Sequence, residues 1–199
     1  MKAHYLIALI LLLCACSRET DIIYDDRFDF SRLDVQGKKL PEKTGPWACV
    51  QDNKSGLVWE VKADDESLRH YTGTFSWYDP KAISSRDKGR RDKGSCHPSL
   101  RGQCDTAGYI IAMNEQQLCG KDNWRLPTVA ELKTLLEMRL APPGPLVAPA
   151  TLPNTRRSGY WTGDQGPPHS GTAWAVSFAD GQAAMYQKSS AFYLRLVSD

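Results

Sequence analysis

Residues Trp47–Lys62 read WACVQDNKSGLVWEVK, and this stretch decides the class of fold. Two apolar runs, Trp47–Gln51 and Leu57–Val61, flank Asp52–Gly56, a segment rich in residues that are typical of turns. Two such runs on either side of a turn predict an antiparallel β-hairpin. We therefore expect the chain to be built largely on antiparallel strands.

The first predicted helix begins near Asp105. Either Asp105 or Thr106 can cap a helix that runs to Leu118, and Gly120 provides a stop signal. The apolar residues in this stretch recur at helical spacing. Its apolar face is predicted to contain Ala107, Ile110, Ile111 and Leu118.

The second predicted helix begins at Thr128. Thr128 and Glu131 have the spacing of a capping box, in which each side chain accepts a hydrogen bond from the other residue's backbone N–H. Pro127 keeps the residue before it extended, so Arg125–Pro127 forms a strand-to-helix corner. We expect Arg125 at this corner to bond backbone carbonyls or a buried acid rather than a ligand. The apolar residues that follow the cap are Val129, Leu132, Leu135, Leu136 and Met138.

The last third of the chain is predicted to consist of strands. Ala141–Pro153 contains five prolines, so no long helix can cross it. A turn at Asp180–Gly181 separates an alternating apolar run from a strand that pairs back onto it. The predicted strands lie around Trp161, at 173–178, at 182–187 and at 192–197. The predicted fold class is α+β, with two short helices and mostly antiparallel strands.

Four cysteines follow the N-terminal region, and an even number in an exported chain predicts two disulfides. Three connectivities are possible. We favour Cys96 with Cys104, which closes a short loop, and Cys49 with Cys119, which ties the first strands to the end of a helix. A zinc site is the alternative, but the chain has no C-x-x-C pair and its histidines are scattered, so we predict no metal.

The N-terminus has the pattern of an export signal. The apolar run Tyr5–Leu13 follows Lys2 and is shorter than the roughly 20 residues that a transmembrane helix needs. Leu13–Cys16 resembles the lipobox of bacterial lipoproteins, in which the cysteine is acylated as the signal is removed. Ser17 after Cys16 favours sorting to the outer membrane. The alternative is an ordinary cleaved signal that leaves Cys16 as a plain thiol.

These observations predict the domain organisation. A signal peptide occupies residues 1–15, a polar tether residues 16–27, and one folded domain residues 28–199. Several acyl chains on Cys16 would hold that domain stably on a membrane, where a single chain would not. The predicted location is therefore the bacterial cell envelope, as an outer-membrane lipoprotein.

A family resemblance covers roughly residues 28–197. The chain is similar to the Lcl C-terminal domain family, named after a Legionella collagen-like adhesin. The resemblance implies a C-type-lectin-like fold and a role in binding or adhesion. It rests on Trp47–Lys62, Phe75–Tyr78, Leu118–Gly120, Asp122–Thr128, Glu131–Leu132, Tyr160–Trp161, Ala173–Trp174, Val176–Phe178, Asp180–Gly181 and Tyr193–Val197.

Two activities known in the same fold group find little support in the residues. The corner at Arg125 also resembles the formylglycine-generating enzymes, but those act through cysteines near the C-terminus and this chain has none after Cys119. Calcium-dependent lectins gather several acidic ligands, whereas Leu152–Asn154 and Trp161–Asp164 lack paired acids. No other catalytic motif occurs. We therefore expect no calcium site, no cofactor and no enzymatic activity.

The feature most specific to this chain is Arg86–Gly94, here called the basic loop. It reads RDKGRRDKG and carries five cations against two acids, just before Cys96. The favoured interpretation is a solvated loop that keeps the surface soluble. The alternative is a binding site whose cations attract an acidic or sulfated polysaccharide, or lipopolysaccharide phosphates, through screened electrostatics. The candidate ligand-binding residues are Arg86, Lys88, Arg90, Arg91 and Lys93.

The overall composition names no partner, because 25 Lys and Arg nearly balance 23 Asp and Glu. The six tryptophans are expected mainly in the core, with one or two exposed. The favoured function is a non-enzymatic binding or adhesion module for acidic glycans or an envelope protein. Export argues against nucleic acid as a partner. The alternative is an envelope enzyme, or an accessory of one, from the fold group of the formylglycine-generating enzymes.

Overall fold

The computed structural model describes residues 29–41, 44–140 and 142–199. The predicted signal peptide, tether and acylated Cys16 lie outside these residues. The first sheet has the strand order β1-β2-β3-β7, and all of its neighbouring strands are antiparallel. Its strands are β1 (Phe30–Leu33), β2 (Cys49–Asp52), β3 (Val58–Glu60) and β7 (Val197–Ser198). The predicted hairpin is thus the pair β2-β3, with Val50 opposite Trp59.

The second sheet is a meander of three antiparallel strands in the order β4-β5-β6. They are β4 (Gly159–Gln165), β5 (Thr172–Ser177) and β6 (Ala183–Gln187). The register of β4 against β5 shifts between Trp161 and Gln165. The turn predicted at Asp180–Gly181 joins β5 to β6, and the Gly181 N–H donates to the Ser177 carbonyl at 2.8 Å.

Three α-helices lie within the described residues. They are α1 (Ser85–Lys88), α2 (Thr106–Glu115) and α3 (Val129–Thr134). Short 3₁₀ turns occur at Pro98–Leu100 and Leu118–Gly120. The capping box predicted at Thr128 and Glu131 is present at the start of α3. The predicted α+β class is confirmed.

The prediction for α2 was wrong in its length and in part of its apolar face. Ile110 packs against the core as predicted. The buried side of the helix contains Tyr109 and Met113, whereas Ile111 is 51% exposed. The reason is the Tyr109 hydroxyl, which bonds the buried carboxylate of Glu60 and so sets which side turns inward. The helix stops before Gln117, whose φ of 49° is incompatible with helix continuation.

The last predicted strand, at 192–197, is also shorter than expected, because this segment is shared between the two sheets. Tyr193 bridges Tyr160 of β4, and Val197 pairs with Trp59 of β3. The residues between them cross from one sheet to the other, so they form no long ladder with either. Leu194 and Leu196 are fully buried in this crossing.

Two apolar clusters form the core. The first packs Trp77, Tyr109, Trp124 and Trp161 together, and the second places Trp59 of β3 with Leu132 of α3. Strand β5 contributes side chains to both clusters, because Ala173 and Ala175 belong to the first and Val176 belongs to the second. Successive side chains of a strand point to opposite faces, so both faces of the second sheet are covered at its centre.

Disulfides join Cys49 to Cys119 and Cys96 to Cys104. This is the pairing that the sequence favoured. The first links β2 to the 3₁₀ turn after α2, across 70 positions of the chain, and the second closes a loop of 8. No helix in the described part of the chain is long and apolar enough to cross a membrane.

Candidate functional site

The basic loop is held at both ends by the fold. Ser84 caps α1, its hydroxyl accepting the Asp87 N–H at 3.0 Å, and Gly89 ends the helix with a φ of 86°. The loop then runs beside 74–78: the Arg90 N–H donates to the Trp77 carbonyl, and the Ser76 hydroxyl donates to the Arg90 carbonyl at 2.7 Å. The loop therefore has a defined conformation and presents its side chains from fixed positions.

The two acids of the loop are occupied by structural contacts. The Asp87 carboxylate accepts hydrogen bonds from the Ser84 hydroxyl at 2.7 Å and the His169 N–H at 2.8 Å. The Ser84 hydrogen bond, with that of His169, lowers the pKa of Asp87. The Asp92 carboxylate accepts the Cys104 N–H at 3.0 Å. The negative groups of the loop are thus engaged with residues outside it, while four of its cations are exposed: Arg86, Arg90, Arg91 and Lys93.

The five predicted cations do not act as one cluster. Arg86 and Arg90 are exposed and line the same cleft. Arg91 lies elsewhere, with Nε 3.9 Å from the Asp105 carboxylate and its guanidinium 5.6 Å from the Tyr78 ring centre. Lys88 and Lys93 are outside the cleft lining. The structure therefore divides the candidate residues into a cleft pair and three outlying cations.

The cleft beside the basic loop has a volume of about 490 Å³, and we call it the cationic cleft. The loop forms one wall, and the turns at the ends of the second sheet form the other. Three lining side chains are cationic and none is a carboxylate. The lining residues are Ser85, Arg86, Gly89, Arg90, Ser170, Gly171, Gln187, Lys188 and Ser189.

Lys188 was missed by the sequence analysis and is the third cation of the cleft. Its side chain is 2% exposed, lies 4.0 Å from the centre of the Trp77 ring, and donates hydrogen bonds to the Asp87 carbonyl and to Gln165 Oε1. Among the described residues, no carboxylate forms an ion pair with it. Burial lowers the pKa of Lys188, while Asp87 and Asp79 oppose that shift. A buried lysine with neutral partners adds positive potential to the cleft.

A second ionisable cluster lies inside the core. The Lys62 ammonium donates to Glu60 Oε1 at 2.7 Å and to the Tyr109 hydroxyl at 2.9 Å. Burial lowers the pKa of Lys62 to about 8, and the ion pair with Glu60 counters part of that effect. Burial would raise the pKa of Glu60, but Lys62 and the hydrogen bonds lower it overall. Because these groups bond one another, they join β3 to α2 inside the core.

The corner motif residues have structural partners. Arg125 forms ion pairs with Glu131 at 2.8 Å and with Asp199 at 2.7 Å, while Trp161 is fully buried. The Asp164 carboxylate accepts the Val129 N–H at the start of α3, and the Asn154 amide donates to the Lys62 carbonyl. Within the ranges that the structure describes, no group of three or more His, Cys, Asp or Glu residues is arranged to hold a metal ion.

Comparison with known proteins places the chain in a family. The model of the Lcl C-terminal domain matches residues 48–198, and the chain belongs to that family, as predicted. No curated protein and no solved structure matches the chain.

Proposed function

We propose that this protein is a non-enzymatic binding module that holds acidic glycans in the cationic cleft. The observation that carries the proposal is the composition of the cleft wall, where Arg86, Arg90 and Lys188 converge without a carboxylate. Such a wall favours sulfate or carboxylate groups over neutral or cationic ones. We also propose that the domain has a C-type-lectin-like fold.

The side chains around the cleft suit an anionic group on a polar scaffold. The Arg90 guanidinium is exposed and offers planar donors that match the oxygens of a sulfate or carboxylate. Ser85 and Ser189 add hydroxyls, and Gln187 adds an amide, all of which can bond sugar hydroxyls. The cleft therefore combines a charged centre with a neutral hydrogen-bonding border.

We favour binding over an envelope enzyme because the shifted ionisable groups are engaged with one another. Glu60, Lys62 and Tyr109 form a closed buried cluster, and Glu131 is paired with Arg125. A general acid or base needs access to a substrate, and these three side chains are buried. We also propose that a lipid on Cys16 tethers the domain to the outer membrane, where acidic envelope or host polysaccharides are accessible.

The test is retention on immobilised heparin, a sulfated glycan, by the purified protein. Arg86→Ala with Arg90→Ala removes two cations from the cleft wall, and we expect affinity to fall about tenfold at low salt. Retention of the unaltered protein should weaken as salt rises, because screening shortens the reach of the charges.

The matched control is Lys38→Ala with Lys54→Ala, which removes the same charge from exposed positions away from the cleft. Retention equal to the unaltered protein is expected for this control. If both double variants lose the same affinity, net charge and not the cleft is responsible, and the proposed site is wrong.

A further inference from the structure

The six tryptophans differ in what covers them. Four are buried in the core: Trp59, Trp77, Trp124 and Trp161. Trp47 is half-buried, with the Arg32 guanidinium 3.9 Å above its ring and its indole N–H donating to the Thr151 carbonyl at 3.0 Å. Trp174 is also half-buried, but its indole N–H and ring have no hydrogen-bond, aromatic or cation–π partner among the described residues.

Trp174 lies on a surface with an apolar neighbour. It is directly opposite Met185 in the β5-β6 pair, so both side chains project from the same face of the sheet. Met185 is 46% exposed. The helix α3 covers the other end of this face, at Val176. Trp174 and Met185 therefore form a partly exposed apolar patch on this face.

This patch is continuous with the cationic cleft. The next pair along the same face is Thr172 with Gln187, about 7 Å away at two residues of strand rise. The Thr172 hydroxyl is 4.0 Å from the Met185 sulfur and 2.7 Å from the Ser170 hydroxyl. Ser170 and Gln187 both line the cleft. A row of polar side chains thus leads from the anion-binding wall to the apolar patch.

We infer that Trp174 and Met185 form a stacking surface for a sugar ring of a glycan whose acidic group lies in the cationic cleft. The inference rests on the proposed function. One face of a pyranose ring carries only C–H groups, which pack on an indole ring, while its hydroxyls reach the indole N–H and Thr172. The cleft supplies attraction for charge, and the patch supplies recognition of the sugar.

If the cleft binds charged groups and the patch binds sugar rings, a substitution in the patch should change the affinity for two kinds of polyanion differently. Heparin has both sulfate groups and sugar rings, whereas linear polyphosphate has charge without rings. Trp174→Ala should weaken heparin binding about five- to tenfold, the loss of one aromatic contact, and leave polyphosphate binding within about twofold. Binding of both probes is measured by titration calorimetry on the purified protein at two salt concentrations.

Two further variants complete the experiment. Tyr186 lies next to Met185 on β6, so its side chain points to the opposite face of the sheet, and it is 41% exposed. Tyr186→Ala removes this aromatic side chain and should leave the affinities for heparin and polyphosphate unchanged. Met185→Ala removes an exposed side chain, so it tests the patch if Trp174→Ala does not fold; it should weaken heparin alone, by about twofold.

Equal weakening of heparin and polyphosphate by Trp174→Ala, or no change in heparin binding, would overturn the stacking surface and leave the cleft intact. The same holds if Tyr186→Ala weakens heparin as much as Trp174→Ala does. A protein that binds neither probe, or whose Arg86→Ala, Arg90→Ala variant binds both normally, would overturn the proposed function and this inference with it.

Discussion

At the scale of single residues, Arg125 shows how a family motif serves stability. Its guanidinium bonds both carboxylate oxygens of Glu131, which also accepts the Thr128 N–H of the capping box. A second ion pair reaches Asp199. One arginine therefore links the start of α3 to the last residue of the chain. The motif was expected to be structural, and its contacts agree with that interpretation.

The Glu131 pair predicts a pH dependence of stability. The hydrogen bond from Arg125 lowers the pKa of Glu131 from 4.5 to about 2. Because the folded pKa is below the unfolded one, the contribution is complete above about pH 5 and is lost as the pH falls toward 2. Glu131→Gln should lower the free energy of unfolding at pH 7 by about 1 kcal/mol, allowing for solvent screening of a partly exposed pair.

The measurement is urea denaturation of both proteins between pH 7 and pH 2. The gap between them should close as Glu131 becomes protonated, because the variant has no charge to lose. Glu115→Gln, at an exposed position of α2, is the charge-matched control and should show no such convergence. A gap that stays constant across this range would contradict the ion-pair explanation.

At the scale of elements, the basic loop depends on one glycine. Gly89 has a φ of 86°, and a Cβ there would overlap the Trp77 carbonyl oxygen and press on the Lys188 side chain. The position therefore requires glycine for both conformation and space. It is also the point where the loop turns from α1 toward Arg90, so it determines where the cleft wall lies.

Gly89→Ala should destabilise the protein by about 1–3 kcal/mol and weaken heparin binding, since the loop must move to relieve the overlap. Denaturation midpoints and heparin retention measure the two effects. Gly56→Ala is the matched control, because Gly56 has a similar φ of 79° but open space around it. Gly56→Ala should lower stability without changing heparin binding. If the Gly89→Ala variant binds heparin as well as the unaltered protein does, the loop conformation does not shape the cleft.

At the scale of the whole molecule, the crossing segment and the disulfides connect the two sheets and the helices. Arg195 lies in the crossing segment, is fully buried, and bonds the Glu60 carbonyl at 2.6 Å and the Thr155 hydroxyl at 2.7 Å. Cys49–Cys119 adds a covalent link between the first sheet and the region after α2. We therefore expect the described part of the fold to unfold as one cooperative unit.

The two disulfides should stabilise the molecule unequally. Loop-closure entropy gives about 4.5 kcal/mol for the Cys49–Cys119 loop and about 2.5 kcal/mol for the Cys96–Cys104 loop. Replacing both members of each pair with alanine and comparing urea midpoints measures the difference. Equal losses, or a larger loss for Cys96–Cys104, would contradict the entropic ranking. The Cys96–Cys104 variant should also change heparin binding more, because that loop follows the basic loop directly.

Local signals in the chain were sufficient for several elements. The turn composition of Asp52–Gly56 predicts the β2-β3 hairpin, and the spacing of Thr128 and Glu131 predicts the start of α3. These signals depend on interactions within a few residues, so they predict the local structure whatever long-range contacts the rest of the chain makes. The inward face of α2 could not be read in this way, because the hydrogen bond between Tyr109 and Glu60 joins positions 49 apart.

The sequence by itself determined the α+β class, the family, the favoured disulfide pairing and the cations of the basic loop. Only the tertiary structure decided which cations share a cleft, that Lys188 joins them, and that Trp174 is partly exposed beside that cleft. The physical reason is range: Arg86 bonds the His169 carbonyl across 83 positions, and Lys188 bonds the Asp87 carbonyl across 101. Contacts of that separation form only when the two sheets and the loop pack together.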